Sequence, residues 1–199
     1  MRVLGVILAG GLSRRMGRPD KGLMTIVGRP LLAWVTERAR PQVDRLILNA
    51  NGDPDRFAAF GLPVVADGLP AGEGPVAGLR AAFGTARGFS HVATFAGDTP
   101  LFPDDLVSRL GQALEGGADY AIAASRGREH PTFGLWPVAR ADRIAELFAQ
   151  GVRAPRDLER HLRKAVVSFP ADEVDPFFNA NTPEDVAAVE ALLRDRALR

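Results

Sequence analysis

Short apolar runs alternate along the chain with longer stretches in which apolar residues recur at every third or fourth position. The runs have the length and β-branched content of buried strands, and the periodic stretches predict amphipathic helices. Predicted strands cover residues 3–8, 45–48, 62–66, 91–96, 119–124, 132–137 and 166–169. Predicted helices cover residues 31–40, 53–60, 75–86, 140–150 and 155–162, and two more open at residues 103 and 182. This alternation predicts an α/β fold: a three-layer, Rossmann-like, mostly parallel sheet with helices on both faces.

Polar or small residues follow four of the predicted strands. Gly10 and Gly11, Asn49, Asp67 and Asp98 each come after a different apolar run. In an open α/β sheet the carboxyl ends of parallel strands line one crevice, and ligands bind there. The pattern therefore predicts a ligand site at this edge, with chance loop polarity as the alternative.

The first of these turns opens a loop, residues 9–21, that carries glycines, a hydroxyl and several basic side chains. Glycine lets backbone N–H groups close on an anion, and Arg and Lys neutralise phosphate oxygens. We interpret the loop as a nucleoside-triphosphate-binding loop, and the alternative is a surface turn. It is not a Walker A loop, because five residues separate Gly11 from Gly17 and Arg18 follows. Adjacent glycines also exclude the dinucleotide-binding fingerprint.

Composition narrows the class of protein. A chain of 199 residues is expected to form one domain, residues 1–199, and 46% apolar content is ordinary for a globular protein. A net charge of +1 gives no general support for nucleic-acid or membrane binding, and no apolar run has the length of a membrane span. The absence of cysteine excludes disulfides and thiolate metal sites, so we expect a cytoplasmic location.

Lysine and asparagine are rare, and their positions are unusual. Of 25 basic residues only Lys21 and Lys164 are lysine, and all asparagines lie in two Asn-Ala-Asn tripeptides, 49–51 and 179–181. This placement suggests that Arg cannot replace Lys21, because a compact ammonium and a planar guanidinium fit phosphate pockets differently. A high-GC genome with selection against heat-labile amides is the alternative.

Residues 8–21 read L-A-G-G-x-S-x-R-M-G-x-x-D-K, and this motif resembles the molybdenum cofactor guanylyltransferases of the nucleotidyltransferase superfamily. The resemblance implies the nucleotidyltransferase fold and Mg²⁺-dependent transfer of GMP from GTP to molybdenum-bound molybdopterin, with release of pyrophosphate. Gly11 favours GTP, since cytidine-using relatives tend to carry L-A-A-G. Arg18 departs from the many relatives that have glycine there.

The resemblance also implies site residues. For the nucleotide they are Leu8, Ala9, Gly10, Gly11, Ser13, Lys21, Asn49, Asp67 and Asp98. Arg15, Lys21 and Asp98 are the implied catalytic residues, because departing pyrophosphate needs positive charge, and Asp98 is the implied Mg²⁺ ligand. Asp67 has the acceptors that guanine N1–H and N2–H need, and Asn49 suits the ribose or base edge, although either could instead cap a turn.

Two later segments resemble the family's acceptor side. They contain His130, in a His-Pro-Thr sequence, and Asn179 and Asn181, in an N-x-N-T-P-E sequence. Other nucleotidyltransferases often carry Asp where these asparagines stand, and neutral amides suit a bulky, highly anionic acceptor such as molybdopterin. The alternative for His130 is a structural role beside a turn.

Three functions remain open on the sequence. The first is the guanylyltransferase, expected to act as a monomer with transient contacts to proteins that deliver or receive the cofactor. The second is another nucleotidyltransferase, which uses CTP on the same pterin or accepts a sugar phosphate. The third is a GTP-binding sensor or interaction module without turnover.

Overall fold

The computed structural model describes residues 1–9, 21–68, 74–171, 174–179 and 183–197. The strands are β1 Val3–Leu8, β2 Thr25–Ile26, β3 Arg29–Pro30, β4 Arg45–Asn49, β5 Val64–Val65, β6 His91–Ala96, β7 Tyr120–Ser125, β8 Arg128–Pro137 and β9 Lys164–Ser168. The α-helices are α1 Leu31–Ala39, α2 Pro75–Thr85, α3 Leu106–Leu114, α4 Ala141–Ala149 and α5 Pro183–Ala197. Short 3₁₀ helices cover Lys21–Leu23, Arg40–Gln42, Pro54–Phe60, Val138–Arg140 and Pro155–Arg160.

The main sheet has the strand order β5-β4-β1-β6-β8-β7-β9. Only β8 among these described strands runs antiparallel to its neighbours, and the other pairs are parallel. The carboxyl ends of six strands therefore lie along one edge of the sheet, where β8 begins. We call this the carboxyl edge.

Two apolar layers cover the two faces of the sheet. Successive side chains of a strand point to opposite faces, so Ile7 of β1 belongs to one layer and Val6 to the other. Helices α1 and α3 contribute to the layer of Ile7, and α2 and α4 to the layer of Val6. The predicted three-layer, mostly parallel α/β fold is confirmed. Within the described residues, no helix combines the length and apolar character needed to cross a bilayer.

The structure adds a hairpin, β2–β3, that the sequence pattern did not predict. Its turn is Val27-Gly28, with φ of 50° and 71°. Positive φ at both central residues is the geometry of a two-residue hairpin, but Val-Gly lacks the Asn or Asp that usually marks such a turn. Helix α5 packs on this hairpin through a cluster that includes Ile26 and Val189, and the Val27 amide donates to Glu190 Oε1 at 3.2 Å.

Strand β8 begins earlier than predicted, and this places His130 in a strand. The turn before β8 contains only Arg126 and Gly127, with φ of 47° and 75°, again a two-residue hairpin. Ile122 of β7 pairs with Gly134 while the next residue, Ala123, pairs with His130, so three residues of β8 bulge out between them. Pro131 lies in this bulge and has no N–H for a ladder hydrogen bond.

Other predicted elements differ in length or type. The strand predicted at 62–66 is shortened to Val64–Val65 and lies at the sheet edge, as a proline beside it requires. The helices predicted at 53–60 and 155–162 are 3₁₀ helices, the first capped by Asp53 through the Asp55 amide at 3.0 Å. The predicted cap of the last helix, Thr182, lies outside the described residues.

A buried hydroxyl joins β6 to β8 at the centre of the sheet. Thr94 Oγ1 accepts hydrogen bonds from the Gly134 amide at 3.0 Å and from Trp136 Nε1 at 3.1 Å. Trp136 is itself buried and stacks on Tyr120 with ring centroids 4.7 Å apart. One side chain therefore satisfies two donors at the junction between the parallel strands and the antiparallel strand.

We predict that Thr94→Val lowers the free energy of unfolding by about 2–5 kcal/mol, because two buried donors lose their acceptor. Thr94→Ser keeps the hydroxyl and is the matched control, expected to lose about 1 kcal/mol for the missing methyl group. Urea unfolding followed by Trp fluorescence measures both. Equal losses in the two variants would show that the hydroxyl contributes nothing.

Candidate functional site

The ends of β1, β4 and β6 meet where the predicted phosphate loop begins. The Gly97 amide donates to Leu8 O at 3.1 Å, and the Ala9 amide donates to Asn49 O at 2.9 Å. A Cβ on Gly97 would lie 3.1 Å from Leu8 O and 3.4 Å from Ala9 Cα, so a larger residue would push the strand ends apart. Leu8 and Ala9 thus lie against the turn that carries Asp98.

Much of the predicted loop falls outside the described residues. Gly10, Gly11, Ser13 and Arg15 are not described, and for Lys21 the structure gives only the backbone, which starts a 3₁₀ helix. A Cβ on the next residue, Gly22, would lie 3.9 Å from Gly97 O. The chain therefore returns beside the Gly97–Asp98 turn, and the backbones of Lys21 and Asp98 lie on the same side of the molecule.

Asp98 is half-buried at the end of β6 and shares a neighbour with Asn179. The Thr99 hydroxyl lies 3.3 Å from Asp98 Oδ1 and is also hydrogen-bonded to Asn179 Oδ1. Thr99 is fully buried, and both oxygens lie within hydrogen-bonding reach of its hydroxyl. Thr99 thus joins two residues that the sequence assigned to opposite substrates. No sequence signal singled out Thr99.

Asn49 is 4% exposed and its side chain is engaged within the fold. Its Nδ2 donates to Val65 O at 3.0 Å, which ties β4 to the short strand β5. Its Oδ1 faces Gly78 of α2, where a Cβ would lie only 2.4 Å away. The structure therefore gives Asn49 a packing role beneath α2, and its contact with the nucleotide stays a prediction.

Asp67 forms a reciprocal pair with Asn51. Asn51 Nδ2 donates to Asp67 Oδ1 at 2.8 Å, and the Asp67 amide donates to Asn51 Oδ1 at 3.1 Å. The second bond fixes the Asp67 backbone beyond β5, and the first orients its carboxylate. Sequence reasoning did not assign Asn51 to the site, although its place in an Asn-Ala-Asn tripeptide was the available signal.

His130 lies in a hydrogen-bonded cluster farther along the carboxyl edge, beyond β6. Its Nε2 is 2.7 Å from Ser125 Oγ, and Ser125 Oγ is 2.7 Å from Asp175 Oδ1. Burial lowers the pKa of His130, the Asp175 charge raises it and Arg128 lowers it further. The ring stacks on Phe177 with centroids 4.5 Å apart. Ser125 and Asp175 were not predicted, because nothing in the sequence relates residues 50 positions apart.

The predicted residues spread along the carboxyl edge in a definite order. Asp67 and Asn49 lie at the β5–β4 end, Asp98 at β6, and His130 beyond it at β8. Asn181 lies outside the described residues. In the part of the chain that the structure describes, no group of three or more His, Cys, Asp or Glu side chains is arranged to hold a metal ion.

Comparison with known proteins identifies relatives over nearly the whole chain. A family model described as "MobA-like NTP transferase domain" matches residues 5–168. A Rhodopseudomonas palustris (strain BisB5) protein called "molybdenum cofactor guanylyltransferase" is 48% identical over 197 residues, covering 96% of this chain and 94% of the relative. A Rhizobium meliloti (strain 1021) protein of the same name is 49% identical over 198 residues, covering 94% and 90%.

A solved structure agrees on the fold. "Molybdopterin-guanine dinucleotide biosynthesis protein A" from Archaeoglobus fulgidus superimposes with a TM-score of 0.76 at 23% identity, covering 97% of this chain and 99% of that one. At that identity the likeness concerns the fold alone.

The close contact between Gly78 and Asn49 generates a stability prediction. We expect Gly78→Ala to cost about 1–3 kcal/mol, because its methyl group would overlap the Asn49 amide and Leu8. In an Asn49→Ala background the cost should fall by about 0.5–1.5 kcal/mol, since the overlap with Asn49 is gone and the overlap with Leu8 remains. Urea unfolding of the four proteins measures this coupling.

Gly84→Ala is the matched control on the same helix, since a Cβ there meets nothing within 4 Å. It should stabilise the protein by about 0.5–1 kcal/mol, the ordinary gain from replacing a helical glycine. Strictly additive effects of Gly78→Ala and Asn49→Ala would contradict the contact.

Proposed function

Since the chain belongs to the MobA-like NTP transferase family and, within it, to the molybdenum cofactor guanylyltransferases, we propose that it transfers GMP from GTP to molybdenum-bound molybdopterin. The chain is a nucleotidyltransferase, so the alternative of a binding module without turnover is set aside. The products of the proposed reaction are the guanine dinucleotide form of the cofactor and pyrophosphate. The observation that carries the proposal is 48% identity across 96% of the chain.

The order of residues along the carboxyl edge supports this assignment. Neighbouring strands lie about 4.8 Å apart, so β5 and β6 are separated by about 14 Å. An extended nucleoside triphosphate can span that distance, with its base beside Asp67 and its phosphates beside Ala9 and Asp98. The acceptor then lies beyond β6, beside Asn179 and His130.

In the proposed reaction an oxygen of the acceptor's terminal phosphate attacks the α-phosphorus of GTP. The bond from the α-phosphorus to the bridging oxygen breaks, and pyrophosphate leaves with that oxygen. Arg15 and Lys21 neutralise the charge that develops on the leaving group, and Ser13 with the Gly10 and Gly11 amides holds phosphate oxygens. The contribution of the protein is chiefly positioning and charge neutralisation.

Mg²⁺ is the proposed metal, and Asp98 is its proposed protein ligand. The side chains near Asp98 offer carboxylate, hydroxyl and amide oxygens, which suit a hard cation. Mg²⁺ commonly takes one or two carboxylates and completes its shell with phosphates and water. When bound, the ion neutralises charge on the phosphate oxygens.

Asp67 is the proposed guanine-recognising residue. A carboxylate can accept hydrogen bonds from both N1–H and N2–H of guanine, a donor pair that adenine and cytosine lack. The pair with Asn51 orients this carboxylate, since Asp67 Oδ1 accepts from Asn51 Nδ2 at 2.8 Å. A cytoplasmic location, a monomeric state and the absence of nucleic-acid or membrane partners are also part of the proposal.

Thermal-shift titration with GTP, CTP and ATP, with and without Mg²⁺, tests the nucleotide half of the proposal. We expect stabilisation by Mg²⁺–GTP above that by the other nucleotides, because only GTP matches the Asp67 carboxylate. Asp67→Asn should reduce this preference, since an amide presents one acceptor and one donor group. Preferential stabilisation by CTP would favour a cytidylyltransferase instead.

The two lysines of the chain allow a matched test of Lys21. We expect Lys21→Ala to lower turnover by roughly 10²–10³, as for loss of one preorganised charge, and Lys21→Arg to be strongly impaired. Lys164→Arg is the control, because Lys164 pairs with Glu129 and Glu159 at 2.7 and 2.5 Å and Arg can keep both pairs. Pyrophosphate release measures all three, and full activity of Lys21→Arg would contradict the role of the ammonium.

A further inference from the structure

The Ser125 hydroxyl lies between His130 and Asp175, and this arrangement determines which ring nitrogen of His130 carries a hydrogen. Ser125 ends β7, His130 lies on β8, and Asp175 follows β9 in the segment Asp175–Asn179. The Ser125 hydroxyl oxygen is 2.7 Å from both His130 Nε2 and Asp175 Oδ1. Ser125 is 1% exposed, so no solvent replaces either partner.

A count of hydrogens fixes the direction of each bond. An ionised carboxylate only accepts, so the single hydrogen of Ser125 goes to Asp175. Asp175 Oδ1 also accepts from the Phe177 amide at 2.9 Å. Ser125 Oγ must then accept from His130, which requires a hydrogen on Nε2.

The remaining ring nitrogen therefore carries a lone pair. Burial lowers the pKa of His130, so the neutral ring is favoured near pH 7. A neutral imidazole with hydrogen on Nε2 has an unprotonated Nδ1, which accepts hydrogen bonds. Among the described residues, Nε2 has a hydrogen-bond partner and Nδ1 has none.

The cluster is not a hydrolytic triad, although it contains the same residue types. In a triad the histidine stands in the middle and takes a hydrogen from the serine. Here the serine stands in the middle and its hydrogen is directed to Asp175, away from His130. Ser125 is therefore a buried connector and not an activated nucleophile.

The imidazole ring is also held rigidly and linked to the Asp98 turn. It stacks on Phe177, which is buried against Phe133 and Phe169. Two residues after Phe177, Asn179 is hydrogen-bonded to the Thr99 hydroxyl beside Asp98. One short segment thus fixes both the acceptor-side imidazole and the edge of the proposed metal site.

We propose that Ser125 and Asp175 are positioning residues that hold His130 in its Nε2–H tautomer, so that Nδ1 accepts a hydrogen bond from an N–H or O–H group of the acceptor substrate. This inference rests on the proposed function, because it assigns His130 to the acceptor and not to GTP. It adds Ser125 and Asp175 to the acceptor side and makes Nε2 the donor and Nδ1 the acceptor of the imidazole. The Nδ1 lone pair fits an N–H donor on a nitrogen heterocycle.

The first test is the ¹⁵N spectrum of the ring nitrogens of His130 near pH 7, which needs no substrate. We expect a pyridine-type Nδ1 and a pyrrole-type Nε2 in the wild-type protein, and a shift towards a mixture of tautomers in Ser125→Ala. A wild-type ring with hydrogen on Nδ1, or with both nitrogens protonated, would overturn the proposal.

The second test separates the two substrates kinetically. In Ser125→Ala and in His130→Gln, which keeps an N–H group but loses Nδ1, we expect the KM for molybdopterin to rise about 3–10-fold, as for loss of one hydrogen bond. The KM for GTP should stay within about twofold, and the double variant should resemble either single variant because the residues act as one unit. Ser168→Ala is the control, an exposed serine at the same edge of the neighbouring strand β9.

An unchanged KM for molybdopterin in Ser125→Ala, with normal turnover, would overturn the inference and leave the proposed function standing. Equal increases in both KM values would show a general structural role and would overturn it too. Absence of GMP transfer by the wild-type enzyme would remove the proposed function and this inference together. The two failures are distinguishable, because this one appears in the wild-type enzyme and the others appear only in the variants.

Discussion

The whole site depends on how closely the ends of β1 and β6 approach each other. The Gly97 amide bonds to Leu8 O at 3.1 Å, and no side chain fits between the strand ends at that point. This contact brings the Asp98 turn against Ala9, where the predicted phosphate loop starts. Because Gly22 also lies beside Gly97 O, the far end of the loop returns to the same place. A buried contact between strand ends thus places the two described ends of the predicted loop, Ala9 and Lys21, beside the Asp98 turn.

A second constraint joins the two halves of the proposed reaction. The segment from Asp175 to Asn179 bonds to Ser125 at one end and to Thr99 at the other. Ser125 belongs to the His130 cluster, whereas Thr99 touches Asp98. A change in this segment would therefore alter the surroundings of both His130 and Asp98, which lie on the two sides of the proposed reaction. Rigid support of this kind suits a reaction in which positioning provides most of the catalysis.

The fold and the location of the site follow from the sequence to different extents. Strand β1 and strand β6 match their predicted bounds, because long apolar runs in a parallel sheet are buried on both faces. The β2–β3 hairpin was missed because its turn uses Val27 at positive φ, against local preference. Thr99, Ser125 and Asp175 could not be found, since their roles exist only through contacts between distant segments. The roles of Lys21 and Asp98 come from the family resemblance and stay predictions.

The most direct measurement is a crystal structure with Mg²⁺ and a non-hydrolysable GTP analogue. We expect the triphosphate beside the Gly97–Asp98 turn, the guanine at the β5 end beside Asp67, and the Lys21 ammonium on the β- or γ-phosphate. A nucleotide bound at the opposite edge of the sheet, or with its base towards His130, would contradict the proposed site.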